Sequence, residues 1–474
     1  MRSACIQTCF GLLCAVFLAC APAADLQEAE DLHAAAAPEL RTARGDLSTH
    51  QSRRILESLA RQAGVSQMLL HHVAVEEAYT ASPLVTGNKV TLLRDGAATY
   101  RSMDEAIRQA RHHINLEVYT FADDQVGREV AEALVARMQA GVQVNIIYDS
   151  VGCLATNPEF FEYLRRWGAR LVEFNPVSPA SVRKEWKVDH RDHRKLLIVD
   201  NRIAFTGGLN FAREYSGGSF RSSGGSGGSG GGSSASGGAS SGGSRGDAWR
   251  DTHVRIEGPV VAEFQKLFRE TWEKQHGQAI DWGPYFVEAP PAGDQIVRAI
   301  GSTPDHGISV IHATFVSAIQ RAEKSVYLTQ MYFVPDSELV QEVVEAARRG
   351  VDVQIILPAE GFWMTRYAGR SHYRALLEAG VKIHEREGPL LHAKTAVIDG
   401  VWSTVGSTNL DYRSLAKNDE VNAVILGEDF AAQLEAMFRD DVAASRPITL
   451  GDWKRRGPAT RFKEGAARIW ERLL

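Results

Sequence analysis

The octapeptide His193-Arg194-Lys195-Leu196-Leu197-Ile198-Val199-Asp200 has a second copy, His392-Ala393-Lys394-Thr395-Ala396-Val397-Ile398-Asp399. Both copies read H-x-K-x-x-x-x-D, and they lie 199 residues apart. The same spacing carries Gly207 onto Gly406, Gly208 onto Ser407 and Asn210 onto Asn409. A register held across several residue types is the mark of a duplicated domain, so the chain is constrained to fold as two related halves. The apolar interior of each copy is a strand signal. Side chains alternate across a strand, so His193 and Lys195 share one face, as do His392 and Lys394. Each half therefore offers an imidazole beside an ammonium.

The flanking text alternates strand with helix in both halves. In the first, Lys89 to Leu93, Ile114 to Tyr119 and Val142 to Tyr148 read as strands. Between them, Met103 to Arg111 and Val126 to Ala140 read as amphipathic helices, the second closed by Gly141. In the second, Val326 to Phe333 and Val351 to Leu357 are strands around a helix capped by Asp336 or Ser337 and closed by Gly350. The expected class is α/β. It has two pseudo-symmetric lobes, each a mixed β-sheet flanked by helices, over 83–283 and 284–453, with the site at their interface. Residues 25–82 read as helices and a linker. The adjacent His71 and His72 there point apart on a helix and read as solvated surface.

Residues 216–244 break the pattern, with 25 of 29 being glycine or serine. Such a stretch buries too little apolar area to offset its ordering entropy, so disorder is expected. Asp251 lies 58 residues past His193, and Glu420 lies 28 past His392. The excess nearly equals the Gly/Ser stretch, which is therefore an insertion, and removing it aligns Asp251 with Glu420. Both a flexible lid and a passive surface loop are open to it.

Paired imidazoles, ammonium groups and amides suit a phosphodiester. Lysine and asparagine can neutralise and grip phosphate oxygens, while histidine serves as nucleophile or as general acid and base. The net charge of −5 lacks the basic footprint of a nucleic-acid binder. Residues 1–24 read as an export leader, with Arg2, an apolar run from Phe10 to Ala19, and Ala21-Pro22-Ala23 as a cleavage site. Four of the five cysteines lie in that leader, which leaves Cys153 without an internal disulfide partner or a thiolate metal site. Phe17-Leu18-Ala19-Cys20 matches part of a bacterial lipoprotein box, so lipid attachment at Cys20 stands beside ordinary cleavage. His190 and His193 suggest a zinc pair, but His190 has no counterpart in the second half.

From Pro83 onward, about four-fifths of the chain resembles the bacterial cardiolipin synthase branch of the phospholipase D superfamily. The matching text comprises both H-x-K-x-x-x-x-D motifs, Tyr119 with Asp123-Asp124, Phe205-Thr206-Gly207-Gly208-Leu209-Asn210 and Trp249-Arg250-Asp251. It continues through Tyr332-Phe333-Val334-Pro335-Asp336 and Gly406-Ser407-Thr408-Asn409-Leu410-Asp411. The resemblance implies His193 as nucleophile and His392 as general acid/base, though symmetry alone does not separate them. It implies Lys195, Lys394, Asn210 and Asn409 on the phosphate, with Ser407 as a further donor, and no metal or other cofactor. A carboxylate after each motif orients a histidine in such enzymes, which makes Asp251 and Glu420 the candidates. Asp200 and Asp399 carry either a catalytic or a structural role.

The implied reaction moves a phosphatidyl group between phosphatidylglycerol molecules through a phosphohistidine. The rival readings are a hydrolytic phospholipase D, a nuclease of the same superfamily and a non-catalytic lipid-binding protein. The expected setting is periplasmic and at a membrane surface. The tail 454–474 carries seven basic residues against two glutamates, interleaved with Phe462, Ala466, Ile469 and Trp470. It suits an anionic bilayer or packing on the body.

Overall fold

The structure is a computed structural model that describes residues 40–65, 68–80, 82–177, 189–216, 248–304 and 309–469. The leader, Cys20, the Gly/Ser insertion beyond Ser216 and residues 470–474 of the tail lie outside the described residues.

The main sheet of the first half is built from β1 (Leu84–Arg94), β2 (His113–Val118), β3 (Gln143–Asp149), β4 (Arg170–Phe174), β5 (Lys195–Val199), β6 (Ile203–Gly207) and β7 (Thr252–Glu257). The second contributes β8 (Gln295–Ser302), β9 (Ser325–Gln330), β10 (Asp352–Pro358), β11 (Lys382–Arg386), β12 (Lys394–Ile398), β13 (Trp402–Gly406) and β14 (Asn418–Leu426). The order in the first sheet is β1-β7-β6-β5-β2-β3-β4, parallel only across β2-β3-β4. The second repeats it as β8-β14-β13-β12-β9-β10-β11, parallel only across β9-β10-β11. Strands β1 and β8 pair antiparallel and join the sheets.

The motif strands β5 and β12 are buried along their whole length, which is why they read as unbroken apolar runs. Helices cover the sheets, and the expected caps form. Asp124 accepts from Gly127 N at the head of Gln125–Gln139, and Asp336 from Leu339 N at the head of Ser337–Arg348. Gly141 and Gly350 close these helices at φ +87° and +94°, in the left-handed region that favours glycine.

The halves also share a core. Leu196, Ile198, Ala204, Val254 and Ile256 of the first pack in one cluster with Val397, Val405, Val421, Ala423 and Ile425 of the second. Each leucine, isoleucine or valine among them contributes about 1.5–3 kcal/mol on burial, so the lobes are held face to face by a common apolar layer.

The helices expected in the N-terminal segment form, and one expectation about it is corrected here. Its helices Thr49–Gln62 and Met68–Tyr79 place Leu56, Leu69 and Val73 in the second lobe's core beside Phe315, Leu328 and Trp402. His72 is not solvated, because that packing buries it completely. Its Nε2 lies 3.0 Å from Glu76, which also accepts from Trp402 Nε1 at 3.2 Å. In the tail, helix Pro458–Ile469 lies on helix Trp363–Ser371, with Ala467 buried against Val334 and Ala368, while Phe462 is exposed. His190, the rejected zinc partner, instead meets Asp419 across the lobes at 2.7 Å. Among the described residues no helix is long and apolar enough to cross a membrane.

Candidate active site

Two short cross-lobe pairings build the site. Residues Arg191 and Asp192, just before the first motif histidine, run parallel with Asn418 and Asp419 of the second lobe. Leu391, just before the second motif histidine, bridges Arg250 of the first. The backbone continues both contacts. His193 N donates to the Asp419 carbonyl at 2.9 Å, and His392 N donates to the Arg250 carbonyl at 2.8 Å. The residue after each of those carbonyls is a buried carboxylate, Glu420 and Asp251.

Each histidine is consequently held by the other lobe. His193 Nδ1 lies 2.9 and 3.0 Å from the Glu420 oxygens, and His392 Nδ1 lies 2.7 Å from Asp251 Oδ2. A carboxylate on Nδ1 fixes the tautomer with its proton there and leaves the Nε2 lone pair available. Two buried contacts lock this crossing. Arg250 donates from Nε and Nη2 to both Asp441 oxygens at 3.0 and 2.7 Å, and Arg194 Nε donates to the Glu420 carbonyl at 3.1 Å.

The ammonium groups curl back on their own motifs. Lys195 Nζ donates to the His193 carbonyl at 2.6 Å, and Lys394 Nζ donates to that of His392. Burial drives both pKa values down, Lys195 to about 7 and Lys394 to about 8. Burial likewise lowers His193 to about 4 and His392 to about 3, against the pull of their carboxylates, and each also feels the other lobe's lysine. That mutual influence means one shared site. Burial opposes ionisation of Asp251 too, but the His392 imidazole beside it holds the carboxyl below its ordinary range.

The remaining candidates divide. Asn210 lies in the site, its Oδ1 accepting from Thr120 N at 3.1 Å and its Nδ2 donating to Tyr215 Oη at 2.8 Å. Buried Asn409 has no partner for Oδ1 among the described residues. Ser407 was expected on the phosphate, but its hydroxyl donates to Glu420 Oε2, so it fixes the carboxylate. Gly208 holds the matching place against Asp251, where a Cβ would come within 2.1 Å of Oδ1.

Asp200 and Asp399 are not in the site, which corrects their inclusion among catalytic candidates. Asp200 accepts from the backbone N–H groups of Arg111, His112 and His113 at 2.8–2.9 Å. Asp399 does the same for Glu323, Lys324 and Ser325 at 2.7–2.9 Å. Both lie a full strand away from the lysines, roughly 16 Å at about 3.3 Å per residue. Their backbones are left-handed, at φ 54° and 55°. Asp200→Ala and Asp399→Ala are each expected to cost about 2 kcal/mol by thermal unfolding, from lost turn bonds and φ strain. Turnover per folded molecule should hold; a turnover loss at unchanged stability would restore a catalytic role.

Sequence reasoning missed the aromatic wall. Tyr119 meets His193 edge-on at 5.2 Å, and Tyr215 and Trp249 meet His392 at 5.2 and 5.4 Å. Tyr119 and Trp249 were visible only as matched text. Tyr215 had no signal beyond standing five residues past Asn210. For metals, the described residues offer one group, His312, Asp336 and Glu338, which shares no residue with the histidine site.

Residues 103–218 and 315–442 match a family model described as cardiolipin synthase, phospholipase D-like domain. A cardiolipin synthase of Halalkalibacterium halodurans is 30% identical over 426 residues, covering 89% of this chain and 79% of the relative. Cardiolipin synthase 2 of Bacillus cereus is 30% identical over 385 residues, covering 81% and 70%. Among solved structures, a phosphatidylserine synthase of Haemophilus influenzae superposes with TM-score 0.57 at 13% identity. That match covers 84% of this chain and 99% of the other, and it speaks to the fold alone.

Proposed function

The chain belongs to the cardiolipin synthase family of phospholipase D-like proteins, and from that premise we propose that it transfers a phosphatidyl group from one phosphatidylglycerol to the hydroxyl of another. The observation that carries this reading is the crossed pairing, His193 with Glu420 and His392 with Asp251. It leaves two oriented Nε2 atoms from opposite lobes beside the two motif lysines.

In the first step, His193 Nε2 forms a bond to the donor phosphorus as the bond to the departing glycerol oxygen breaks. His392, protonated once the phosphate anion has entered, delivers its Nε2 proton to that oxygen. Glu420 balances the charge that grows on the His193 ring. In the second step, the acceptor hydroxyl gives its proton back to His392. Its oxygen bonds to phosphorus, and the phosphorus–nitrogen bond breaks. Lys195, Lys394 and the two asparagines stabilise charge on the non-bridging oxygens. We place this chemistry at the periplasmic face of a membrane, on the strength of the leader in residues 1–24.

The test is product analysis with purified protein and phosphatidylglycerol. Diphosphatidylglycerol plus free glycerol supports transfer, whereas phosphatidic acid alone means water is the acceptor and contradicts it. The pH profile follows from the lysines. A depressed ammonium is charged below its pKa and neutral above it. Lys195 near 7 and Lys394 near 8 therefore predict a kcat/KM that falls more steeply as pH rises through 7 to 8 than it does in mildly acidic buffer. A kcat/KM that rises over that range would contradict the phosphate-gripping role.

A further inference from the structure

The duplication makes differences between the halves informative. In the first lobe, the corner between the end of β3 and the residues before His193 is filled by Arg191. This fully buried side chain donates to Ser150 Oγ at 2.8 Å, the Asn175 carbonyl at 3.0 Å and the His190 carbonyl at 2.6 Å. In the second lobe, Leu390 stands in register with Arg191, and the corresponding corner is open. A cavity of about 380 Å³ lies there, walled by Pro358, Ala359, Arg366, Arg370, Leu390 and Leu391 among others. Leu391 is the residue immediately before His392.

The arginines of this cavity are not equivalent. Arg370 is bidentate on Glu385 at 2.7 Å, Arg446 reaches the same carboxylate at 2.9 Å, and Arg386 meets Asp441 at 3.2 Å. The Arg366 guanidinium has no hydrogen-bond or ion-pair partner among the described residues, and its Nε is buried. Arg366 also lines a second cavity that reaches Tyr332, two residues past Gln330, the strand partner of Lys394. Phe362, at the wall of that second cavity, and its neighbour Trp363 are exposed by 43% and 59%. A guanidinium with free donors in a recess matches a phosphate oxyanion. Exposed aromatics at its edge suit a molecule arriving from a lipid surface.

We propose that this cavity is the acceptor subsite, in which Arg366 anchors the phosphate of an alcohol-bearing phosphodiester and so presents its hydroxyl to His392. The proposal rests on the transferase reading and gives it a reason to favour a phosphorylated alcohol over water. It also assigns the asymmetry of the two lobes to the asymmetry of the reaction, in which one histidine carries the phosphatidyl group and the other activates the acceptor. The same chemistry is carried by phosphatidylglycerol and by its soluble deacylated form, glycerophosphoglycerol.

The experiment supplies mixed micelles of phosphatidylglycerol with ethanol as a competing acceptor, and reads the ratio of diphosphatidylglycerol to phosphatidylethanol. Arg366→Gln is expected to lower that ratio about tenfold, the order of one charge-assisted hydrogen bond to phosphate. Ala359→Phe, which fills the cavity without removing charge, should lower it in the same direction, and it keeps the test alive if the first variant misfolds. An unchanged ratio in variants that still make phosphatidylethanol overturns the subsite alone. Failure of the unaltered protein to make either diphosphatidylglycerol or phosphatidylethanol overturns the transferase reading and the subsite with it. A parallel arm offers glycerophosphoglycerol to the unaltered protein. Uptake comparable to the lipid supports a subsite that reads the phosphate alone, and preference for the lipid supports one that also uses the aromatic edge.

Discussion

His193→Asn and His392→Asn are each expected to lower phosphatidyl transfer by about 10⁴-fold or more, with the double variant no worse than either single one. Each histidine performs a task the other is not placed to take over. His193 is fixed through Nδ1 by Glu420 and His392 through Nδ1 by Asp251, so neither ring can turn to present its other nitrogen without breaking a buried bond. Asparagine retains a polar group of similar reach but supplies neither a nucleophilic nitrogen nor a titratable proton. The check is radiolabelled product formation, with circular dichroism to establish folding. Multiplicative losses in the double variant would mean that the two rings act independently, contrary to a shared phosphate.

The second large effect concerns the carboxylates and carries a specific sign. Asp251→Asn and Glu420→Gln are expected to lower kcat by about 10³-fold, because an amide in place of the carboxylate permits the wrong tautomer and no longer balances the imidazolium. Which step fails depends on the crossing. Glu420 belongs to the second half of the sequence yet holds His193 of the first, the proposed nucleophile. Asp251 belongs to the first half yet holds His392 of the second, the proposed proton donor. A phosphatidyl ester with an acidic leaving group, such as nitrophenol, needs no proton on departure. The first step should therefore recover in Asp251→Asn and His392→Asn, and stay slow in Glu420→Gln and His193→Asn. Burst kinetics of nitrophenol release read that step alone. Recovery in Glu420→Gln and His392→Asn, with Asp251→Asn and His193→Asn staying slow, would instead pair each carboxylate with its own motif's histidine.

Much of this arrangement was legible because duplication leaves a register. The spacing of His193, Lys195 and Asn210 against His392, Lys394 and Asn409 specified two lobes and a joint site. The strand order repeats element for element, as that register requires. The carboxylates were legible too, once the Gly/Ser insertion was set aside. Their crossing was not, because it is made by backbone pairing between Arg191-Asp192 and Asn418-Asp419, more than 200 residues apart. No local pattern encodes a contact of that range. Asp200 and Asp399 show the converse limit. A repeated aspartate reads alike whether it touches substrate or clamps a turn, and only the three N–H groups around each one decide.

Ser407 was misassigned for a related reason. A hydroxyl beside a phosphate site and a hydroxyl steadying the carboxylate behind it occupy the same place in sequence, and Glu420 claims this one. His72 failed because its helix was read alone. The face taken as solvated lies on the second lobe, where Trp402 meets the His72–Glu76 pair.

The most direct measurement of two lobes acting on one phosphodiester is peptide mass spectrometry of His392→Asn, quenched after brief exposure to the nitrophenyl ester of phosphatidic acid. The proton donor is gone while the leaving group departs unaided, so the intermediate forms but its resolution by an alcohol is slowed. One phosphatidyl adduct per chain, on His193 and joined through a phosphorus–nitrogen bond that survives alkali but not acid, is the predicted result. A folded, substrate-binding protein that carries no adduct, or carries it on a residue other than His193, would contradict the account.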